Sequence, residues 1–217
     1  MCSCNLTQLL TDIQYSLADR VIEEDCFCKL DRVAGADISF SVDNRAVAAV
    51  VVLELEGLEV VEKKTLDVEL FFPYISGFLG VREADAVISV INTLEHGFDV
   101  LMVNGHGVMH PAGFGLASHV GVLLDVPTMG VAKRLIGGRY IKLATQSDHT
   151  PEIQLIKYDN RIVGAFFKGK YLSVGHRISL KSVLEITMRT SVFKIPEPLR
   201  QAHILATETF KHELNGN

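Results

Sequence analysis

Apolar residues at Leu6, Leu9, Leu10, Ile13, Leu17 and Val21 recur at spacings of three and four, which predicts an amphipathic helix over Leu6–Val21. Glu23-Glu-Asp is then a polar loop. The period changes at Val33-Ala-Gly-Ala-Asp-Ile-Ser-Phe, a strand pattern holding a single acid, Asp37, among small and apolar residues. Asp43-Asn44 marks a hairpin turn, since both side chains bond nearby backbone and tolerate left-handed geometry. A valine-rich strand follows from Arg45 to Leu55, Gly57 turns the chain, and Glu59–Leu70 forms a third strand. Three antiparallel strands in succession therefore lead the fold. Phe71-Phe-Pro-Tyr-Ile-Ser-Gly-Phe-Leu-Gly is a loop with aromatic side chains and no charge. As a hydrophobic plug it needs no function, but an aromatic loop beside a sheet can also wedge into a base stack. Arg82-Glu-Ala-Asp starts a helix that continues through Val87, Ile88, Val90, Ile91 and Leu94. Glu83 falls in its first turn, where an acid favours the helix dipole.

The pattern is densest from Asp99 to Lys133. Val100–Val103 is an apolar run suited to a buried parallel strand. It ends at Asn104-Gly-His-Gly, where two glycines let the backbone turn sharply and admit close neighbours. Pro111 interrupts regular structure. Leu116, Val120 and Leu123/Leu124 then follow helical spacing until Pro127, and Thr128-Met-Gly-Val-Ala is another short strand. Strand, glycine turn, helix, strand is a βαβ unit, and ligands in such sheets sit at the carboxyl ends of the strands. Asn104 and Lys133 both lie at such ends. A polar stretch reaching Glu152 reads as an exposed loop. Ile153–Tyr158, Ile162–Phe167 and Tyr171–Val174 read as strands joined at Asp159-Asn160 and Lys168-Gly-Lys. A helix is expected from Ser179, its N-cap, to about Phe193, and another from about Leu199 to Leu214 carrying His203. No internal repeat or linker interrupts residues 1–217, so a single α/β domain is expected, with a central mixed sheet flanked by helices.

Composition narrows the class. The chain is 48% hydrophobic and 22% charged, enough to bury a sizeable core. A net charge of −5 argues against a general nucleic-acid coat protein but leaves room for a local basic groove. No apolar run approaches a membrane span and the N-terminus carries no signal-peptide pattern, so a cytoplasmic protein with no membrane partner is expected. The cysteines are Cys2, Cys4, Cys26 and Cys28. Their C-x-C spacing is shorter than the usual zinc pattern, so free thiols are expected, with a small metal site or disulfides as the alternatives. His110, His119 and His176 share no metal-ligand spacing and are expected to be hydrogen-bonded structural residues. Lys168, Lys170, Arg177 and Lys181 are either a solvated face or a cluster facing nucleic acid.

Asp37, Glu83 and the polar residue Asn104 could converge at strand ends. Carboxylates so placed suit a hard divalent cation, which can activate water and offset phosphoryl charge. At these residues the chain resembles the endonuclease V family, nucleases of the ribonuclease H-like fold. The segments that carry the resemblance are Gly35-Ala-Asp-Ile-Ser-Phe, Pro73-Tyr-Ile-Ser-Gly-Phe-Leu with Arg82-Glu, Asn104 to Lys133, Gly175-His-Arg-Ile-Ser, and Pro196-Glu-Pro-Leu-Arg-Gln-Ala-His. The resemblance implies a metal-dependent endonuclease, using Mg²⁺ or Mn²⁺, that cuts DNA or RNA at the second phosphodiester 3′ to inosine or another deaminated base. It implies that Asp37, Glu83, the residue at 104 and His203 hold the metal, and that Lys133 stabilises the reacting phosphate. Pro73, Tyr74 and Ile75 would form a wedge filling the gap left by the flipped base. Gly77, Leu79, Gly105, Gly107 and Gly121 would lie near the base pocket. The family has Asp where this chain has Asn104, and often Pro where it has Ser76. The loss of a negative charge at 104 implies an impaired enzyme, or a catalytically silent inosine-binding protein on the same scaffold. A nucleotide-binding metabolic enzyme has little support, since neither phosphate-loop fingerprint is present. A monomer is expected.

Overall fold

The structure is a computed structural model that describes residues 5–41, 44–137, 140–144 and 153–215. Its described strands form one nine-stranded sheet in the order β3-β2-β1-β4-β5-β9-β8-β7-β6. These are β1 Arg32–Phe40, β2 Arg45–Glu54, β3 Val60–Glu69, β4 Val100–Val103, β5 Thr128–Ala132, β6 Ile141–Ala144, β7 Gln154–Tyr158, β8 Arg161–Phe167 and β9 Lys170–His176. The first three pair antiparallel, β1, β4 and β5 run parallel, and β9 returns antiparallel to β5. The parallel centre reads as unbroken apolar sequence because both of its faces are covered: all of β4 and β5 is buried.

Five helices accompany the sheet among the described residues: α1 Leu6–Ala18, α2 Leu79–Ile91, α3 Leu116–Leu124, α4 Leu180–Thr190 and α5 Glu197–Asn215. Strand alternation sorts their partners. Ala34, Ala36, Val50 and Val52 face α2 and α3, whose Ala84, Val87, Leu116 and Val120 complete that core. Val33, Met102 and Val131 face the other way, toward Val183 and Ile186 of α4 and Leu199 of α5. The first residues of α5 lie directly on β1. A Cβ at Gly35 would coincide with the Pro198 backbone, so only glycine admits this approach.

Some elements differ from the sequence expectation. The helix expected from Arg82 begins at Leu79, after Phe78, which caps it without a side-chain hydrogen bond. Glu83 therefore lies in the second turn rather than the first. The stretch expected as a loop before Glu152 contains β6, an edge strand held by pairing with β7. Only one edge of the apolar stripe of α1 is covered: Leu6, Leu9 and Ile13 are exposed, Leu10 and Leu17 are half-buried, and Gln14 between them is the buried residue. Ser179 caps α4 as expected, accepting from the Ser182 amide. Asp43, Cys2 and Cys4 lie outside the described residues. Cys26 and Cys28 are free and exposed. No described helix is long and apolar enough to cross a membrane.

Candidate active site

The register of the parallel strands builds the site. Ala36 of β1 lies beside Val103 of β4, so the next residues, Asp37 and Asn104, emerge side by side where β4 ends. The Asn104 side-chain amide donates to Asp37 Oδ1 at 2.7 Å. With its proton on Nδ1, His203 donates to the other oxygen, Oδ2, also at 2.7 Å. The close packing of α5 on Gly35 is what brings His203 within that reach. Asp37 is buried, while half of the His203 side chain is exposed.

Glu83 approaches from the opposite layer, on α2, and is buried. Burial, and then the charge of Asp37, push its carboxyl from 4.5 up to about 7, against a smaller opposing pull from Arg82. Two carboxyl groups from the two faces of the sheet therefore sense each other beside the end of β4. Asp37, Asn104, Lys133, Lys170 and His203 line one narrow cleft. Among the described residues no three His, Cys, Asp or Glu side chains meet as a metal-binding set. The place beside Asp37 that a third carboxylate could fill is taken by the Asn104 amide.

The aromatic loop stands out into solvent. Phe71 and Tyr74 are 84% and 67% exposed, Pro73 is exposed, and Ile75, Gly77 and Leu79 are half-buried. Two residues with no assigned part in the sequence reading hold this loop. Arg82 donates to the Phe72 carbonyl and to Asn44 Oδ1, and it lies over the Phe40 ring. Gln14 donates to the carbonyls of Gly77 and Phe114 at 2.9 and 3.2 Å. The signal for Gln14 was a polar residue at helical spacing between Leu10 and Leu17, on the edge of the apolar stripe.

The glycine turn after β4 is packed by protein. A Cβ on Gly107 would strike the Val174 carbonyl of β9, and the Gly107 amide donates to Ser173 Oγ at 2.9 Å. Gly105 lies against Leu116, and Gly121 presses on Thr128 and His176, so α3 can approach β5 and β9. His106 Nε2 is buried with no hydrogen-bond partner among the described residues. Burial pulls the His106 and His110 imidazoles down to about 4, so both are neutral near pH 7. His110 Nδ1 accepts from the Ala112 amide, and His176 lies between the Ile22 amide and Asp125, so both are structural as expected. The basic residues expected as one face separate. Arg177 pairs with Asp125, Lys168 donates to the Ser191 carbonyl, and Lys170 turns into the cleft.

The model of the Endonuclease V family matches residues 15–204. The chain belongs to the endonuclease V family. Endonuclease V of Dictyoglomus thermophilum is 36% identical over 211 residues, covering 94% of this chain and 91% of that one. The catalytic domain of human Endonuclease V superposes with a TM-score of 0.85 at 35% identity, covering 96% and 97% of the two chains. Endonuclease V from Ciona intestinalis, in complex with a 24mer DNA containing an inosine followed by a ribo-adenosine, gives 0.80 at 25% identity, covering 94% and 98%. The mixed sheet with helices on both faces is thus the ribonuclease H-like fold of endonuclease V, and the chain is a member of an endonuclease family.

Proposed function

We propose that this endonuclease V family member cuts DNA or RNA at the second phosphodiester 3′ to inosine or another deaminated base, with Mg²⁺ as cofactor and Mn²⁺ able to replace it. The observation that carries the reading is the convergence of Asp37, Asn104 and His203 at the end of β4, with the charge of Asp37 felt by Glu83 from the other layer. The inosine-containing DNA bound by the Ciona relative supports the substrate class.

The donor chemistry suits a divalent cation, though Asp37, Glu83 and His203 would have to draw closer together to share one. A buried Glu83 raised to about 7 beside Asp37 is a carboxyl pair short of positive charge. Asp37, Glu83, His203 and the Asn104 carbonyl oxygen would hold the ion, the last after the amide turns over, since its two ends are nearly isosteric. When bound, the ion supplies a lowered pKa for attacking water and a counter-charge for the phosphate. His203 keeps Nε2 available because Nδ1 is engaged by Asp37. Lys133 would stabilise the reacting phosphate. Tyr74, with Pro73 and Ile75, would fill the gap left by the extruded base. The base would be received near Gly77, Leu79, Gly105 and Gly107, with Gly121 behind them. The unpartnered Nε2 of His106 supports a polar ligand atom at this end.

A second reading, a silent inosine-binding protein, is favoured by the Asn104 amide, which occupies an Asp37 oxygen that a cation would need. Incubation with inosine-containing and plain strands, with Mg²⁺ and then Mn²⁺, separates the two. Selective cleavage supports the endonuclease, and selective binding without cleavage supports the binder.

A further inference from the structure

Lys170 is a lysine where a core residue would be expected. It opens β9 and is 8% exposed. Among the described residues no hydrogen bond or ion pair engages its ammonium. The stem is buried while the ammonium opens onto the cleft without a counter-ion, so it can meet an anionic ligand there directly. The sheet register sets its position. Ala132 of β5 pairs with Tyr171 of β9, so one step further Lys133 comes opposite Lys170. Both line the cleft that holds Asp37, Asn104 and His203. Lys194, from the loop before α5, comes in beside Gly169, one residue before Lys170. Burial and the charges of Lys133 and Lys194 all act to lower the pKa of Lys170, which marks a local excess of positive charge in a chain of net charge −5. Two cations near it are already engaged: Arg200 with Glu197 and Lys168 with the Ser191 carbonyl.

We propose that Lys170, Lys133 and Lys194 form a phosphodiester-binding subsite at the rim of the candidate active site, with Lys170 as its buried member. The ligand is the sugar-phosphate backbone of the strand. The subsite reads no base and needs no divalent cation, so it anchors the strand even though the carboxylate set is depleted at Asn104. This inference rests on the endonuclease reading of the same cleft.

The test measures binding of an inosine-containing strand and a plain strand by fluorescence anisotropy, in EDTA and across a salt series. Lys170→Met keeps the apolar stem and removes the charge. It should lower the slope of log affinity against log salt by about 0.7–0.9 and weaken binding about fivefold near 0.15 M salt, equally for both strands. Lys170→Arg should restore the slope. A merely structural lysine would leave the slope unchanged, and an unchanged slope in a folded Lys170→Met protein overturns the proposal. If that variant does not fold, the unsubstituted protein still decides the matter. Acetylation of Lys170, followed by peptide mass, should slow several-fold when the strand is bound, and equal labelling overturns the subsite. Failure of the functional reading looks different: plain and inosine-containing strands bind alike and neither is cut, while Lys170→Met still lowers the slope. A protein that binds neither strand overturns both.

Discussion

Replacing Asn104 with Asp rebuilds the charge that the family pattern has at this position, and the structure sets the cost. In the present chain the amide donates to Asp37 Oδ1 at 2.7 Å. A hydrogen bond to a charged acceptor contributes about 1.5–3 kcal/mol. Asn104→Asp removes it and places a second carboxylate against Asp37. At an effective dielectric constant of about 20, two charges about 4 Å apart repel by about 4 kcal/mol. Proton uptake by one carboxyl relieves part of that, so a net loss of about 3 kcal/mol is expected in EDTA. For a domain of this size the loss lowers Tm by roughly 6–12 °C. Mg²⁺ at about 100 times its Kd should return about 2.7 kcal/mol to the Asp form and much less to the Asn form. Differential scanning fluorimetry of both proteins, in EDTA and in Mg²⁺, reads this directly. Cleavage of inosine-containing strands should rise sharply in Asn104→Asp, with little change in strand affinity measured without metal. Mn²⁺, more tolerant of neutral ligands, should favour the Asn form more than Mg²⁺ does. Equal melting of the two proteins in EDTA would refute the electrostatic reasoning. Equal cleavage rates in Mg²⁺ would show that the carboxylate at 104 is dispensable.

Tyr74→Ala, at a residue 67% exposed, should leave Tm unchanged and weaken binding of an inosine-containing duplex by about 1–3 kcal/mol; unchanged affinity would make the loop a plug. Glu83 retains its proton to about pH 7 when folded, against 4.5 when unfolded, so in EDTA stability should fall as pH rises across that window, by on the order of 3 kcal/mol, and then level off. Urea titrations should find the slope absent in Glu83→Gln, and a slope that persists there would assign it to another group. Gly35→Ala should push α5 off β1, lowering Tm and detaching His203 from Asp37; an unshifted His203 imidazole resonance would contradict the close approach described.

The strands of the parallel centre were legible because burial on both faces leaves only apolar, β-branched choices, as at Val100–Val103. The edge strand Ile141–Ala144 was not, because Ile141 is exposed and the segment is held by pairing with β7 rather than by a buried pattern of its own. The pattern starts α2 three residues late, at Arg82, because Phe78 offers no side-chain cap to read. Helical spacing on α1 identifies the helix but not which edge of its apolar stripe is covered, since the bonds from Gln14 to Gly77 and Phe114 set that. Asp37 and Asn104 could each be assigned to a strand end. Their contact spans 67 positions and depends on register, which a single sequence does not reveal. Lys170 was hidden by a Lys168-Gly-Lys turn pattern, in which lysines are ordinarily solvated.

The order in which the chain supplies the centre has a consequence for its biogenesis. Asp37 comes from the first strand, Lys133 and Lys170 follow mid-chain, and His203 arrives on α5, the last element described. A ribosome-bound chain that has not yet released α5 has no His203 beside Asp37, and its β1 still presents an uncovered Gly35 face. The contact between Asp37 and His203 therefore forms only once α5 has been synthesised and has docked on β1, so the two ends of this cluster are joined by the last step of folding rather than the first.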